Sequence, residues 1–222
     1  MSTPAVSQSE YSHREEIANS VTHGVGVLLA IAGLVILTVF AGIHGTARHI
    51  VACSIFGGTM ILLYTASTLY HSIHWPKAKP VLRVLDHSAI FLLIAGTYTP
   101  FTLISLRGPW GWSLFGIVWG LAVIGIVLEI FLRPGLRYLI VGLYIGMGWV
   151  IAIAVKPLLG AVPPGGLVLL LAGGLCYTLG VPVYVKRSIP FNHAIWHLFV
   201  LAGTILHFFA VLLYVIPGSA AS

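Results

Sequence analysis

Residues 111–132 read Gly111-Trp-Ser-Leu-Phe-Gly-Ile-Val-Trp-Gly-Leu-Ala-Val-Ile-Gly-Ile-Val-Leu-Glu129-Ile-Phe-Leu132, with Glu129 the single ionisable side chain. An α-helix rises 1.5 Å per residue, so about 20 apolar residues cross a hydrocarbon core roughly 30 Å thick. The stretch is apolar on every face, unlike the one-sided stripe of a helix lying on a soluble core. It reads as a transmembrane helix. Working outward, segments of the same kind occupy 21–43, 50–71, 84–106, 136–155, 163–185 and 191–215. Arg107-Gly108-Pro109, Arg133-Pro134-Gly135 and Pro163-Pro164-Gly165-Gly166 punctuate them, and residues 72–83 form the longest connector. Seven spans consume about 140 residues, which leaves no room for a domain outside the membrane. The expected fold is an all-α membrane protein, a seven-transmembrane helix bundle over 20–217. A polar segment, 1–19, precedes it and a short tail, 218–222, follows.

The composition agrees. Of 222 residues, 59% are hydrophobic and 7% are charged, against about 25% charged in an average soluble domain. Soluble enzymes, nucleic-acid binders and disordered chains are excluded. The net charge of +6 is spread over connectors and sets topology rather than binding nucleic acid. With seven spans, one side holds Arg14, Lys77, Lys79, Arg83, Arg133, Arg137, Lys186 and Arg187, and the other holds Arg48, Arg107 and Lys156. The positive-inside rule then puts the N-terminus in the cytoplasm and the C-terminus outside. Cys53 and Cys176 lie within apolar segments and build no disulfide framework. Residues 1–19 lack the apolar core of a cleavable signal, so the first span serves as the insertion signal and stays. Gly142, Gly146 and Gly148 loosen the fifth span and read as points of close helix contact, with Lys156-Pro157 ending it.

Ionisable side chains inside spans are costly and each needs an account. His71 ends the second span, Asp86 begins the third, and His193 and His197 begin the seventh. Span direction alone brings all four near the cytoplasmic face. His193 and His197, at i and i+4, share one helix face, a spacing that lets two imidazoles converge on one metal ion. Three neutral imidazoles would leave a fourth position of tetrahedral zinc for water. A carboxylate such as Asp86 could hold that water and take its proton. Against this, Asp86 could pair with Arg83 or cap the third helix. Ser67, one turn before His71, could face the same cavity or bond back to a helix carbonyl.

The remaining polar groups have plainer readings. His74 and His87 read as interfacial, and His44 and His49 fall in an outer connector. His207, about 15 Å deeper than His197, reads as hydrogen-bonded to a neighbouring helix. Glu129 is expected to meet Arg133 at i+4. Asn19 or Ser20 reads as the cap of the first helix, with Glu15 and Glu16 favourable near its N-terminus. His23 could support a ligand or form a structural hydrogen bond.

Taken together, several of these stretches resemble the hemolysin III family, the bacterial branch of the progestin and adiponectin receptor group. They are Glu16-Ile-Ala-Asn19-Ser-Val-Thr22-His23-Gly24, Thr65-Ala-Ser67-Thr-Leu-Tyr-His71, Leu85-Asp86-His87-Ser88, Gly96-Thr-Tyr-Thr-Pro100-Phe101 and Asn192-His193-Ala-Ile-Trp-His197. The resemblance runs from the first span to the seventh. It implies a Zn2+ ion held by His71, His193 and His197 near the inner face, Asp86 contacting the zinc-bound water, and Ser67 beside it. It also implies a multi-pass protein of the bacterial plasma membrane. Ceramidases in the wider group make a lipid amide or ester the implied substrate class, and bacterial members are linked to membrane lipid homeostasis. The chain lacks the long N-terminal region of the animal receptors, so signalling through that region does not carry over.

The expected function is therefore a metal-dependent hydrolase taking a lipid-like molecule from the inner leaflet, with membrane lipids as partners and no oligomeric state implied. A zinc-stabilised sensor or receptor is the main alternative. A haemolysin-type pore is the other, although the spans carry few charges for an aqueous conduit.

Overall fold

The computed structural model describes residues 11–131 and 137–217. The Arg133-Pro134-Gly135 connector and the 218–222 tail lie outside the described residues. Among the described residues, seven helices are long and apolar enough to cross a membrane: α1 (His13–His44), α2 (Ala47–Ser72), α3 (Lys79–Ser105), α4 (Pro109–Phe131), α5 (Tyr138–Ala161), α6 (Pro164–Val185) and α7 (Asn192–Val215). No strand occurs among the described residues. An odd number of crossings puts the starts of α1, α3, α5 and α7 at one end of the bundle, together with the end of α2.

α1 begins inside the stretch read as the polar segment. Ser12 caps it: its side chain accepts from the Glu15 backbone N–H at 3.3 Å, and the Ser12 N–H donates to Glu15 Oε2 at 2.9 Å. Asn19 and Ser20 are therefore interior helix positions, not caps. α1 buries one stripe, Glu16, Asn19, His23, Gly26, Ala30, Gly33, Leu37 and Ala41, at steps of three or four residues. The stripe is polar for its first two turns and small or apolar below. Ile17, Val21 and Leu28 on the opposite face are exposed, as a lipid-facing surface requires.

α3 is the central helix: 72% of its most apolar window is buried, against 17% for α5 and for α6. It starts at Lys79 because Pro80 fits the first turn, where its missing N–H has no helical partner to lose. Asp86 is consequently a buried interior residue two turns in, and the capping role fails. Arg83 points outward, exposed, so the ion-pair alternative fails too.

α5 departs furthest from expectation. Its α-helical part gives way to a tighter stretch at Val150–Ala154, then resumes over Val155–Ala161. Lys156-Pro157 starts that last segment rather than ending the span, since proline is tolerated in a first turn. A side chain added at Gly142, Gly146 or Gly148 would meet nothing, so these glycines make no close helix contact. The close approach lies instead between α6 and α7. A Cβ at Gly173 or Gly203 would sit 3.1 or 3.0 Å from the other residue's carbonyl oxygen.

α7 is entered through Phe191, whose φ of 55° is unusual for a bulky residue. Such a conformation costs roughly 1–3 kcal/mol and persists only where neighbours hold it. Here Asn192 Nδ2 donates to Tyr184 O at 3.0 Å, and the Phe191 N–H donates to Glu15 Oε1 at 3.3 Å. These bonds tie the entry of α7 to the end of α6 and the start of α1. The next residue is His193.

Candidate metal centre

Three imidazoles from two helices meet at the α1-start end of the bundle. His71 comes from the last turn of α2, and His193 and His197 from the first turns of α7. One ring nitrogen from each lies within 4.8 Å of the others, and all three residues are buried. The geometry of the opposite nitrogens explains why these three can act together.

Each Nδ1 is held by the first turns of α1 or by Tyr11, two residues before them. His71 Nδ1 lies 2.5 Å from Glu16 Oε2, an acceptor whose other oxygen takes a hydrogen bond from Lys79 Nζ at 2.9 Å. Lys79 also donates to Tyr70 O at 2.6 Å, so the buried Glu16 carboxylate is charge-paired. His197 Nδ1 faces the Asn19 carbonyl at 3.3 Å and Thr22 Oγ1 at 3.1 Å. The Thr22 proton is committed to backbone carbonyls of its own helix, Ala18 O and Asn19 O, each at 2.9 Å. Both partners of His197 Nδ1 are thus acceptors. For His71, whose much nearer Nδ1 partner is the Glu16 carboxylate, and for His197, the N–H is on Nδ1, an arrangement that in the neutral ring leaves the lone pair on Nε2. His193 Nδ1 meets the Tyr11 hydroxyl at 3.0 Å.

The Nε2 atoms are left for one another. His71 Nε2 and His193 Nε2 are 3.2 Å apart. Two nitrogens at about 2.0–2.1 Å from a tetrahedral ion lie roughly 3.3–3.4 Å apart, close to that separation. His197 Nε2 is buried and has no hydrogen-bond partner among the described residues, a state that costs free energy unless something else takes the lone pair. Three neutral imidazoles with their outer nitrogens anchored suit a borderline metal ion well. The cluster could hold a metal ion.

A profile described as haemolysin-III related matches residues 11–208. The chain belongs to that family. Over 207 residues it is 52% identical to Hemolysin-3 of Bacillus cereus, covering 93% of this chain and 94% of that one. Over 204 residues it is 50% identical to a Hemolysin-3 homolog of Bacillus subtilis, covering 92% and 96%. A human protein named monocyte to macrophage differentiation factor is 29% identical over 209 residues, covering 90% of this chain and 84% of its own. The haemolysin III assignment, with seven apolar helices, makes the chain a multi-pass integral protein of the bacterial cell membrane.

Within this haemolysin III-related bundle, Asp86 stands apart from the three nitrogens. It is buried and not one of the converging ligand atoms, yet His71 and His87 are among the groups acting on its carboxyl. Ser67 lies alongside, its buried Oγ turned to the Asp86 carboxyl and bonded to no helix carbonyl among the described residues, so the back-bonding alternative is not what the hydroxyl does. Asp86 and His23 line the head of a partly open cavity between α3, α5, α6 and α7. A second cavity shares Thr97, Tyr98, Gly148, Trp149, Gly174 and His207 with the first and continues to Phe101 and Leu158. The two adjoin at these shared residues, and the first alone runs from Asp86 to His207 past the middle of the bundle. It exists partly because Gly148 and Gly174 leave their side-chain positions empty.

Other residues depart from expectation. Glu129 pairs with His87 Nδ1 at 2.7 Å, while Arg133 lies outside the described residues. His207 bonds to Gly203 O of its own helix at 2.7 Å rather than to a neighbour. His23 stacks on His197, ring centroids 3.5 Å apart, and neither of its nitrogens has a hydrogen-bond partner among the described residues. The anchors Tyr11, Glu16, Asn19, Thr22 and Lys79 were not singled out from sequence as parts of the site. The spacing of Glu16, Asn19 and His23 was the available signal, a polar stripe at helical period at the mouth of an apolar span.

Proposed function

We propose that this protein is a zinc-dependent membrane hydrolase acting on lipid-like amide or ester substrates. Its N-terminus and metal centre would lie on the cytoplasmic side, as the distribution of Lys and Arg favours. The observation that carries the reading is the junction itself: three anchored, buried imidazoles, and next to His71 a buried carboxyl, Asp86, that lines the head of an apolar cavity. His71, His193 and His197 would hold the ion through Nε2. Zn2+ so held supplies a Lewis acid that polarises a carbonyl and brings the pKa of water toward about 7.

The chain's own groups do the rest. Asp86 orients the attacking water and accepts its proton. The Ser67 hydroxyl, free of any backbone bond, donates to the substrate carbonyl as negative charge develops on its oxygen. The apolar cavity takes the hydrocarbon chain and keeps bulk water from the reacting bond. Purified protein should carry about one zinc per chain by elemental analysis, and the His193→Ala/His197→Ala variant less than a tenth of that. Native zinc content in the folded double variant would overturn the site.

A second reading has its own support. The three histidines and their anchors tie α1, α2 and α7 together, so a bound ion would also clamp the bundle, as in a metal-stabilised sensor. Chelation separates the two: a hydrolase loses turnover of a fluorescent ceramide or ester lipid while still folded, whereas a clamp loses its folded state.

A further inference from the structure

His207 lies ten residues beyond His197 on α7, about 15 Å deeper, and is 5% exposed. Its ring is fixed on both sides. Nδ1 is 2.7 Å from Gly203 O, a carbonyl that can only accept, so the N–H is on Nδ1 and Nε2 carries a lone pair. Tyr177 stacks on one face at 5.3 Å, nearly parallel. Gly173 makes room on α6, since a Cβ there would collide with the ring. Nε2 has no hydrogen-bond partner among the described residues, and His207 lines both cavities. An imidazole locked in one tautomer thus presents an unsatisfied acceptor to an apolar space.

The hydroxyls around it offer nothing in return. Thr97 donates to Leu93 O at 2.8 Å, Thr178 to Gly174 O at 2.8 Å, and Thr204 to Val200 O at 2.9 Å. Tyr98 OH donates to the Met147 and Gly148 carbonyls at 2.9 and 2.8 Å. Tyr177 OH meets Thr204 Oγ1 at 3.0 Å, and because the Thr204 proton is already committed, Tyr177 is the donor. Every one of these protons is spent inside the protein. At mid-depth the wall accepts and does not donate, so the occupant must bring the proton.

We propose that His207 is a recognition site for a hydroxyl carried part-way along the ligand's hydrocarbon chain. The proposal rests on reading the cavity as a lipid site with its polar head at the histidine cluster. An extended chain advances roughly 1.25 Å per carbon, from bonds of about 1.5 Å at angles near 111°. The 15 Å depth therefore corresponds to a hydroxyl about a dozen carbons from the head group. Chains that carry it satisfy Nε2, and saturated unsubstituted chains leave it unpaired.

The test is a binding series on the intact purified protein, by displacement of a fluorescent fatty acid, with stearate, 2-hydroxystearate and 12-hydroxystearate. Expected is roughly tenfold tighter binding of 12-hydroxystearate than of stearate, the scale of one buried hydrogen bond. No such gain is expected for 2-hydroxystearate. In His207→Phe, which keeps a ring against Tyr177, the affinity ratio of 12-hydroxystearate to stearate should fall to about one while metal content stays native. Equal affinity for stearate and 12-hydroxystearate, equal gains from both hydroxy acids, or a preference that survives in His207→Phe would each overturn the proposal. The positional series needs only the native protein, so it decides the matter even where the variant does not fold. Failure of every acid to bind would sink the lipid reading of the cavity together with this proposal. Stearate binding without a hydroxyl preference would sink the His207 site alone, and neither outcome depends on hydrolysis.

Discussion

The bundle presents buried imidazoles in two ways. At the α1-start end, His71 and His197 have Nδ1 anchored to acceptors on a different helix, and their Nε2 atoms gather with that of His193. At mid-depth, His207 has Nδ1 anchored to a carbonyl of its own helix, and its Nε2 faces a cavity alone. The chemical device is the same in both places: one nitrogen is tied so that the other offers a lone pair. The number that meet decides what the lone pairs are for. Three converging on a point suit a cation, and one in an apolar wall suits a hydrogen-bond donor. The anchors differ as well. Those of the cluster include a charge-paired carboxylate, whose influence on a ligand's basicity exceeds that of a lone carbonyl.

The comparison breaks hardest at Asp86. Asp86→Asn keeps the shape and hydrogen-bonding capacity of the side chain but removes its ability to take a proton. Zinc content should stay native while kcat for lipid hydrolysis falls about 10²–10⁴-fold, the usual worth of a positioned general base. Native turnover in this variant would remove Asp86 from the chemistry and leave the cluster as a clamp.

Glu16→Gln probes the anchoring itself. The variant can still accept from His71 Nδ1 but loses the charge that Lys79 balances. Metal affinity, read by competition with a chromogenic chelator, should weaken about 10–100-fold. An unchanged affinity would mean that the anchor serves the fold and not the ion. On the cavity side, Gly148→Leu or Gly174→Leu introduces a side chain where the structure has open space. Displacement assays should show long-chain binding weakened about tenfold with metal content native, which would separate the two regions experimentally.

The seven spans were legible because membrane crossing is set by length and apolarity, and both are visible without tertiary context. The histidine cluster was legible for a related reason: the alternation of span direction assigns His71, His193 and His197 to one end before any side chain is placed. What sequence missed depends on facing. Glu16 and Asn19 read as residues of a helix start because polar groups there are ordinarily favourable. Only packing against α2 and α7 turns them inward and makes them anchors. The start of α1 was misread because its capping box lies within a polar stretch that hydropathy treats as outside the membrane. Gly148 looked like a contact glycine, since a missing side chain permits either a close helix or an empty volume. Composition alone does not distinguish these. His207 illustrates the same limit, its partner being a carbonyl of its own helix rather than a side chain across an interface.

The smallest expected effect is the most discriminating about how the anchors work. His197 Nδ1 has two acceptors, the Asn19 carbonyl at 3.3 Å and Thr22 Oγ1 at 3.1 Å. Thr22→Val removes the hydroxyl with little change of shape, and the backbone carbonyl remains. Because one acceptor suffices to hold the proton on Nδ1, the tautomer should persist and Nε2 should keep its lone pair. The loss is then one net hydrogen bond, about 0.5–1.5 kcal/mol, and metal affinity should fall only about two- to tenfold. Were the effect as large as that of Glu16→Gln, the hydroxyl and not the carbonyl would be what fixes the ring. In that case the first turns of α1 would act on the cluster through side chains alone.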